Sequence, residues 1–126
     1  MITRYFLAVT LLLFPLSAST QNSTDAEGRK QGPWIKKYPN GNIQYEGAFK
    51  NGKPVGLFKR YTEEGKLQSE LTYIEAEDKA SAVFYHPDGK KAGEGIYISQ
   101  KKEGLWKFYS ENGYLISEEN YQGDKR

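Results

Sequence analysis

The chain has 126 residues, which is enough for one domain, and a formal net charge of +2. This small charge gives no reason to expect a polyanion such as nucleic acid as a partner. The chain contains no cysteine, which excludes disulfide bonds and thiolate metal sites. The fold must therefore be held together by packing and backbone hydrogen bonds.

The first segment, residues 1–20, has the pattern of a cleaved secretory signal peptide. Arg4 precedes an apolar run at residues 5–16, and the small residues 17–20 follow. The apolar run is twelve residues long, whereas a helix that crosses a membrane needs roughly 20. We therefore expect a secreted or periplasmic protein that has no transmembrane anchor after cleavage.

After residues 21–31, which we interpret as an N-terminal linker and a partial repeat, the sequence repeats every twenty-four residues. The four copies cover residues 32–55, 56–79, 80–103 and 104–126. A glycine, a glutamate and an aromatic ring recur in all four copies, and a second ring recurs in three. In that order, the four columns are Gly41, Gly65, Gly89 and Gly113; Glu46, Glu70, Glu94 and Glu118; Phe49, Tyr73, Tyr97 and Tyr121; and Trp34, Phe58, Ala82 and Trp106.

The glycine column predicts the local structure of each copy. Asn40-Gly41 and its equivalents are dipeptides that reach positive φ at low cost and close hairpins between extended strands. Each copy should thus form two strands around one turn. The third copy departs from the pattern, because Ala80 replaces its opening glycine, Ala82 replaces its ring and Lys91 stands where the other copies have Ile or Leu. We therefore expect its first strand or its junction to be distorted, with an irregular array around residues 75–95.

The run G-x-W-x-x-Y-x-x-N-G, followed by a glutamate and an aromatic-x-x-Gly-Lys segment, resembles the MORN repeat. Residues 32–56 and 104–113 carry the likeness most clearly. The most similar variant is a bacterial one described as a YwqK-type antitoxin. The resemblance implies an all-β protein, an elongated single-layer antiparallel meander of about four 24-residue hairpins. Roughly eight strands at about 4.8 Å spacing would span on the order of 40 Å.

The sequence offers little for catalysis, metal binding or a cofactor, and we expect none of the three. Its one histidine, His86, lies in a turn segment without a neighbouring nucleophile pattern. On a regular ladder the glutamates of successive copies would stand about 9.6 Å apart, too far to share one ion. We interpret each glutamate as a turn cap or as the partner of a nearby Lys or Arg.

A tyrosine column is the candidate binding face. Tyr61, Tyr85 and Tyr109 have the opposite parity to the tryptophan column, so in a single-layer sheet they lie on the other face. Exposed tyrosines are frequent at protein interfaces, although cross-strand packing explains them equally well.

These observations favour an exported, non-catalytic module that binds a protein or acts as a scaffold. Two alternatives remain open, an antitoxin or immunity-type protein that neutralises a partner toxin, and a module that contacts a cell-envelope polysaccharide.

Overall fold

The computed structural model describes residues 21–126, so the expected signal peptide at residues 1–20 lies outside the described part of the chain. β1 and the start of β2 lie within the N-terminal segment 21–31. The elements are β1 (Ser23–Thr24), β2 (Lys30–Lys37), β3 (Ile43–Lys50), β4 (Lys53–Tyr61), β5 (Leu67–Ile74), a 3-10 turn (Glu75–Glu77), β6 (Lys79–Tyr85), β7 (Lys91–Ile98), β8 (Lys101–Tyr109) and β9 (Leu115–Tyr121).

The strands form one open antiparallel sheet, in which each strand pairs with its neighbours in sequence. The prediction of an all-β antiparallel meander is therefore confirmed. Side chains alternate between the two faces of a strand. We call the face that carries Trp34, Phe58 and Trp106 the aromatic face. Lys59 follows Phe58 and pairs with the glutamate column, so we call the opposite face the glutamate face.

The hairpin within each copy closes where the glycine column predicts, and the positive φ is confined to the glycine. The Gly41 amide donates to the Tyr38 carbonyl at 2.9 Å, and the Tyr38 amide donates to the Asn42 carbonyl at 2.8 Å. Gly41 has a φ of 90°. This geometry is a type I turn that ends in a glycine bulge. Between the first two copies, Asn51 and Gly52 both have positive φ, as in a two-residue hairpin turn.

A second set of glycines produces bulges where one copy follows another. Gly56 and Gly104 have φ values of 66° and 69°, and next to them the β3–β4 and β7–β8 pairings shift register. The third copy has Ala80 at the equivalent position, and the β5–β6 pairing continues without a shift. As predicted, the junction before this copy differs, because it runs through the 3-10 turn. Strand β6 pairs with β5 without a shift, and its pairing with β7 shifts only between Phe84 and Tyr85, where the other hairpins shift too. Strand β6 is therefore no more irregular than its equivalents.

The core lies on the aromatic face and is one layer of rings. Trp106 is 1% exposed and Phe58 is 5% exposed. Each of these rings covers a glycine of the strand before it. A Cβ atom on Gly47 would lie 2.1 Å from the Phe58 ring, and one on Gly95 would lie 2.2 Å from the Trp106 ring. A large ring can lie this close to the backbone only because the opposite residue has no side chain.

In the third copy the large residue and the small residue of this contact change places. Leu71 occupies the place of Gly47 and Gly95, and it pairs directly with Ala82, which occupies the place of the ring. The missing tryptophan is therefore compensated, since the leucine supplies the volume that the alanine lacks.

The N-terminal edge of the sheet is covered by backbone and side-chain hydrogen bonds. The Asn22 amide donates to the Pro33 carbonyl at 2.9 Å. Its side chain bonds both backbone groups of Ile35, receiving from the amide at 2.8 Å and donating to the carbonyl at 2.9 Å. Pro33 has no amide hydrogen to offer. Along this stretch of β2, the backbone groups that could pair with a strand of another chain are therefore already hydrogen-bonded or, at Pro33, lack a donor.

Candidate functional site

The three candidate tyrosines lie on the glutamate face, and each one joins two copies of the repeat. Every tyrosine hydroxyl donates to the glutamate fifteen residues before it, which belongs to the preceding copy. The pairs are Tyr61 with Glu46 at 2.6 Å, Tyr85 with Glu70 at 3.0 Å and Tyr109 with Glu94 at 2.8 Å. The tyrosines therefore form a regular row that is tied to the glutamate column.

These hydrogen bonds change the acidity of the tyrosines. Burial first, and then the Glu46 carboxylate, raise the pKa of Tyr61 to about 12. Burial and Glu70 raise the pKa of Tyr85 in the same way. The tyrosine keeps its proton because that proton is shared with a carboxylate. The interpretation of the glutamates as turn caps is wrong for these three. The expected pairing with a lysine is present at Glu94, whose carboxylate also accepts a hydrogen bond from the Lys91 ammonium.

The glutamate face also contains two shallow apolar grooves that the sequence analysis did not find. The first has a volume of about 460 Å³, and Ile35, Val55 and Leu57 are among its lining residues. The second has a volume of about 300 Å³ and is lined in part by Ile96 and Leu105. The two leucines are 47% and 45% exposed. Each groove thus presents an accessible aliphatic side chain.

The two grooves are copies of one another at a spacing of forty-eight residues, because all eight residues that line the second have an equivalent in the first. Glu46 and Lys59 close one end of the first groove, and Glu94 and Lys107 close the same end of the second. Each groove lies beside a glycine bulge, at the β3–β4 and β7–β8 pairings. Four strand positions separate them, a distance of about 19 Å.

The tyrosine row runs along the polar ends of the grooves. Tyr61 bonds the glutamate of the first groove, and Tyr109 bonds the glutamate of the second. Tyr85 lies between them on the row. The structure therefore places the candidate residues beside an apolar surface. Their role in binding stays a prediction.

The remaining chemistry on the described chain is structural. The ring of His86 bonds the Tyr109 carbonyl at 2.8 Å through Nε2. Because a carbonyl only accepts, this nitrogen carries the proton. Residues 21–126 contain no group of three or more His, Asp or Glu side chains arranged to hold a metal ion. Over the same residues, no helix is long and apolar enough to cross a membrane.

Comparison with protein families assigns the repeat. The model described as the MORN repeat variant matches residues 30–51, 54–75 and 102–122, which together make up more than half of the chain. The chain belongs to the MORN repeat variant family. Most of the copy in which alanines replace the opening glycine and the ring lies in the unmatched stretch between the second and third matches.

MORN repeats typically form binding modules, so membership in the family favours binding or scaffolding over catalysis. Comparison with curated proteins and with solved structures finds no match.

One feature of the sequence could have indicated the grooves. Leu57 and Leu105 occupy the same column, in which the third copy has Ser81. A search at twice the repeat length would have paired them. The register shifts that open the grooves depend on backbone geometry beside the glycines, and the spacing of residue types does not specify this geometry.

Proposed function

We propose that this chain is an exported, non-catalytic MORN module that binds a protein partner through its glutamate face. The observation that carries the proposal is the groove repeated at about 19 Å, with an exposed leucine in each copy. Tyrosine is enriched in the core of protein interfaces, and exposed apolar surface rimmed by polar residues marks an interaction site. When a partner has filled one groove, filling the second adds binding free energy with no further loss of translational and rotational entropy.

The polar ends of the grooves give such a partner an orientation. Each groove has a glutamate and a lysine at the same end, and these residues pair across neighbouring strands. A protein segment that brings an apolar side chain to the groove and polar groups to this end matches the surface. The open, shallow form of both grooves favours a protein surface over a small ligand, which needs an enclosed cavity.

The test is capture from the envelope fraction with the purified protein as bait. We expect the double variant Leu57→Ser, Leu105→Ser to lose a partner that the unchanged protein retains, while each single variant loses part of it. Because both leucines are about half exposed, the fold should tolerate the changes. Leu115→Ser, at an equally exposed leucine outside both grooves, is the control. Equal capture by the double variant and the control would remove the grooves from consideration.

The antitoxin alternative is a special case of this proposal, in which the partner is a toxin. It would use the same face, and growth rescue on co-expression with a toxic partner would identify it. The polysaccharide alternative needs exposed rings for stacking. On the aromatic face the Lys30 ammonium lies 4.7 Å from the centre of the Trp34 ring and the Lys102 ammonium lies 5.3 Å from that of Trp106, so the described structure favours a protein partner.

A further inference from the structure

The aromatic face has a slot at the third copy that none of the features above explains. Ala80 pairs with Tyr73 on one side and with Tyr97 on the other. The side chains of paired residues lie on the same face, so the two rings flank a buried alanine. The cavity between them has a volume of about 180 Å³ and is lined also by Leu71 and Asp78. We call it the tyrosine slot.

The slot exists because the third copy lacks its bulge. In the β3–β4 and β7–β8 pairings the shift in register moves the rings out of line. In the third copy the pairing is regular, and the backbones of Tyr73 and Tyr97 lie two strand spacings apart, about 9.6 Å. A group halfway between them would be about 4.8 Å from each strand, which is within the reach of a cation–π contact.

At the junctions before the first and last copies, the equivalent position is filled by a lysine of the chain itself. The Lys30 ammonium lies 4.7 Å from the centre of the Trp34 ring and 4.9 Å from that of Phe49. The Lys102 ammonium lies 5.0 Å from the centre of the Tyr121 ring. The rings of this face thus receive an ammonium group at both ends of the array.

The charge at this position is reversed before the third copy. Asp78 lies two residues before Ala80, just as Lys30 and Lys102 lie two residues before Gly32 and Gly104, and it contributes to the wall of the slot. Lys79 also lines the slot, but its ammonium lies 3.9 Å from the carboxylate of Glu77. Among residues 21–126, the hydroxyls of Tyr73 and Tyr97 form no hydrogen bond with another side chain or with backbone, so they are available to a ligand.

We propose that the tyrosine slot binds a lysine side chain of a partner polypeptide. The two rings provide cation–π contacts, Asp78 provides the opposite charge, and Leu71 packs against the aliphatic stem. The volume is smaller than the roughly 300 Å³ at which pockets for drug-sized ligands begin, so it fits one side chain. The slot lies on the face opposite the grooves. Loss of binding at one surface therefore leaves the proposal for the other surface unaffected.

The experiment is an NMR titration of the purified protein with Nα-acetyl-lysine methylamide. We expect saturable shifts of the Tyr73 and Tyr97 ring signals at millimolar concentrations of this probe, since the contact is small. The same probe acetylated at Nε carries no charge, and we expect it to leave these signals unchanged. Tyr97→Leu should weaken binding by about tenfold, and Asp78→Asn by about threefold.

Asp78→Lys is the decisive variant, because it places before the third copy the lysine that precedes the first and last copies. We expect its own side chain to occupy the slot and the probe to lose its binding. Tyr114→Leu changes a tyrosine that is 73% exposed and outside the slot, and should bind as the unchanged protein does. Equal binding of both probes, unchanged binding by Asp78→Lys, or tighter binding of tetramethylammonium than of the lysine probe would overturn the proposal.

Discussion

Individual glycines determine where this sheet can hold its rings. Gly47 and Gly95 are extended residues without positive φ, so their need for glycine comes from the ring above them. Gly41 is different, because it requires glycine for its φ of 90° and has open space where a side chain would stand. The same residue type therefore serves two physical purposes, close packing and backbone conformation.

Gly47→Ala should destabilise the protein by about 2 kcal/mol, because its methyl group would overlap the Phe58 ring and force it out of place. The free energy of unfolding, measured by denaturant titration, checks this. Gly93→Ala is the matched control in a strand, since its methyl group would lie 3.3 Å from the Phe108 ring and needs only a small adjustment. A Gly47→Ala variant as stable as Gly93→Ala would contradict the packing argument.

Pairs of strands from neighbouring copies are joined by the hydrogen bonds between tyrosine and glutamate. The pKa of Tyr61 is raised from 10 to about 12, so the folded state favours the protonated ring more than the unfolded state does. The stabilising contribution is complete below pH 10 and is lost as the pH rises toward 12.

Tyr61→Phe removes the hydroxyl and keeps the ring. We expect it to lower the free energy of unfolding by about 1 kcal/mol at neutral pH, and to flatten the decline of stability between pH 10 and 12. Unfolding titrations at several pH values, with Tyr114→Phe as the control on an exposed ring, measure both effects. A variant that loses stability as steeply as the unchanged protein over that interval would show that Tyr61 does not carry this dependence.

The hairpins could be predicted from the sequence because their causes are local. Asn40-Gly41 and Asn51-Gly52 specify turns by their own conformational preferences, and strand parity then places Tyr61 opposite the tryptophan column. The partner of Glu46 was missed because it comes from the next copy, fifteen residues away, and depends on which strands become neighbours. The tyrosine slot was missed for a related reason, since Ala80 in place of a glycine keeps the β5–β6 pairing in register, and a single column does not reveal this.

The whole sheet has two ends of different character. At the N-terminal end, Asn22 bonds the backbone of Ile35. At the other end, β9 carries Glu118 and Glu119, and the second of these lies on the aromatic face beside Trp106. Charges that point inward at an edge discourage pairing with another chain. The two ends are therefore protected by different means, a capping side chain at one and acidic residues at the other.

Asn22→Ala should expose the edge of β2 and promote association of the protein with itself. We expect the apparent mass in light scattering to rise with protein concentration for this variant and to stay constant for the unchanged protein. Asn40→Ala removes an asparagine that also bonds a backbone carbonyl, that of Glu63 in the neighbouring hairpin turn, and serves as the control. A mass independent of concentration for Asn22→Ala would show that the remaining groups protect this edge.

Between neighbouring copies a large residue always meets a small one, since the Phe58 ring covers Gly47 and Leu71 pairs with Ala82. Within the hairpins this rule does not hold, because Phe58 pairs with Leu71 and Ala82 pairs with Gly95. Volume is therefore balanced across the boundary between two copies and not inside one copy. A substitution that changes the size of one of these residues would need a matching change in the adjoining copy to avoid a clash or a void.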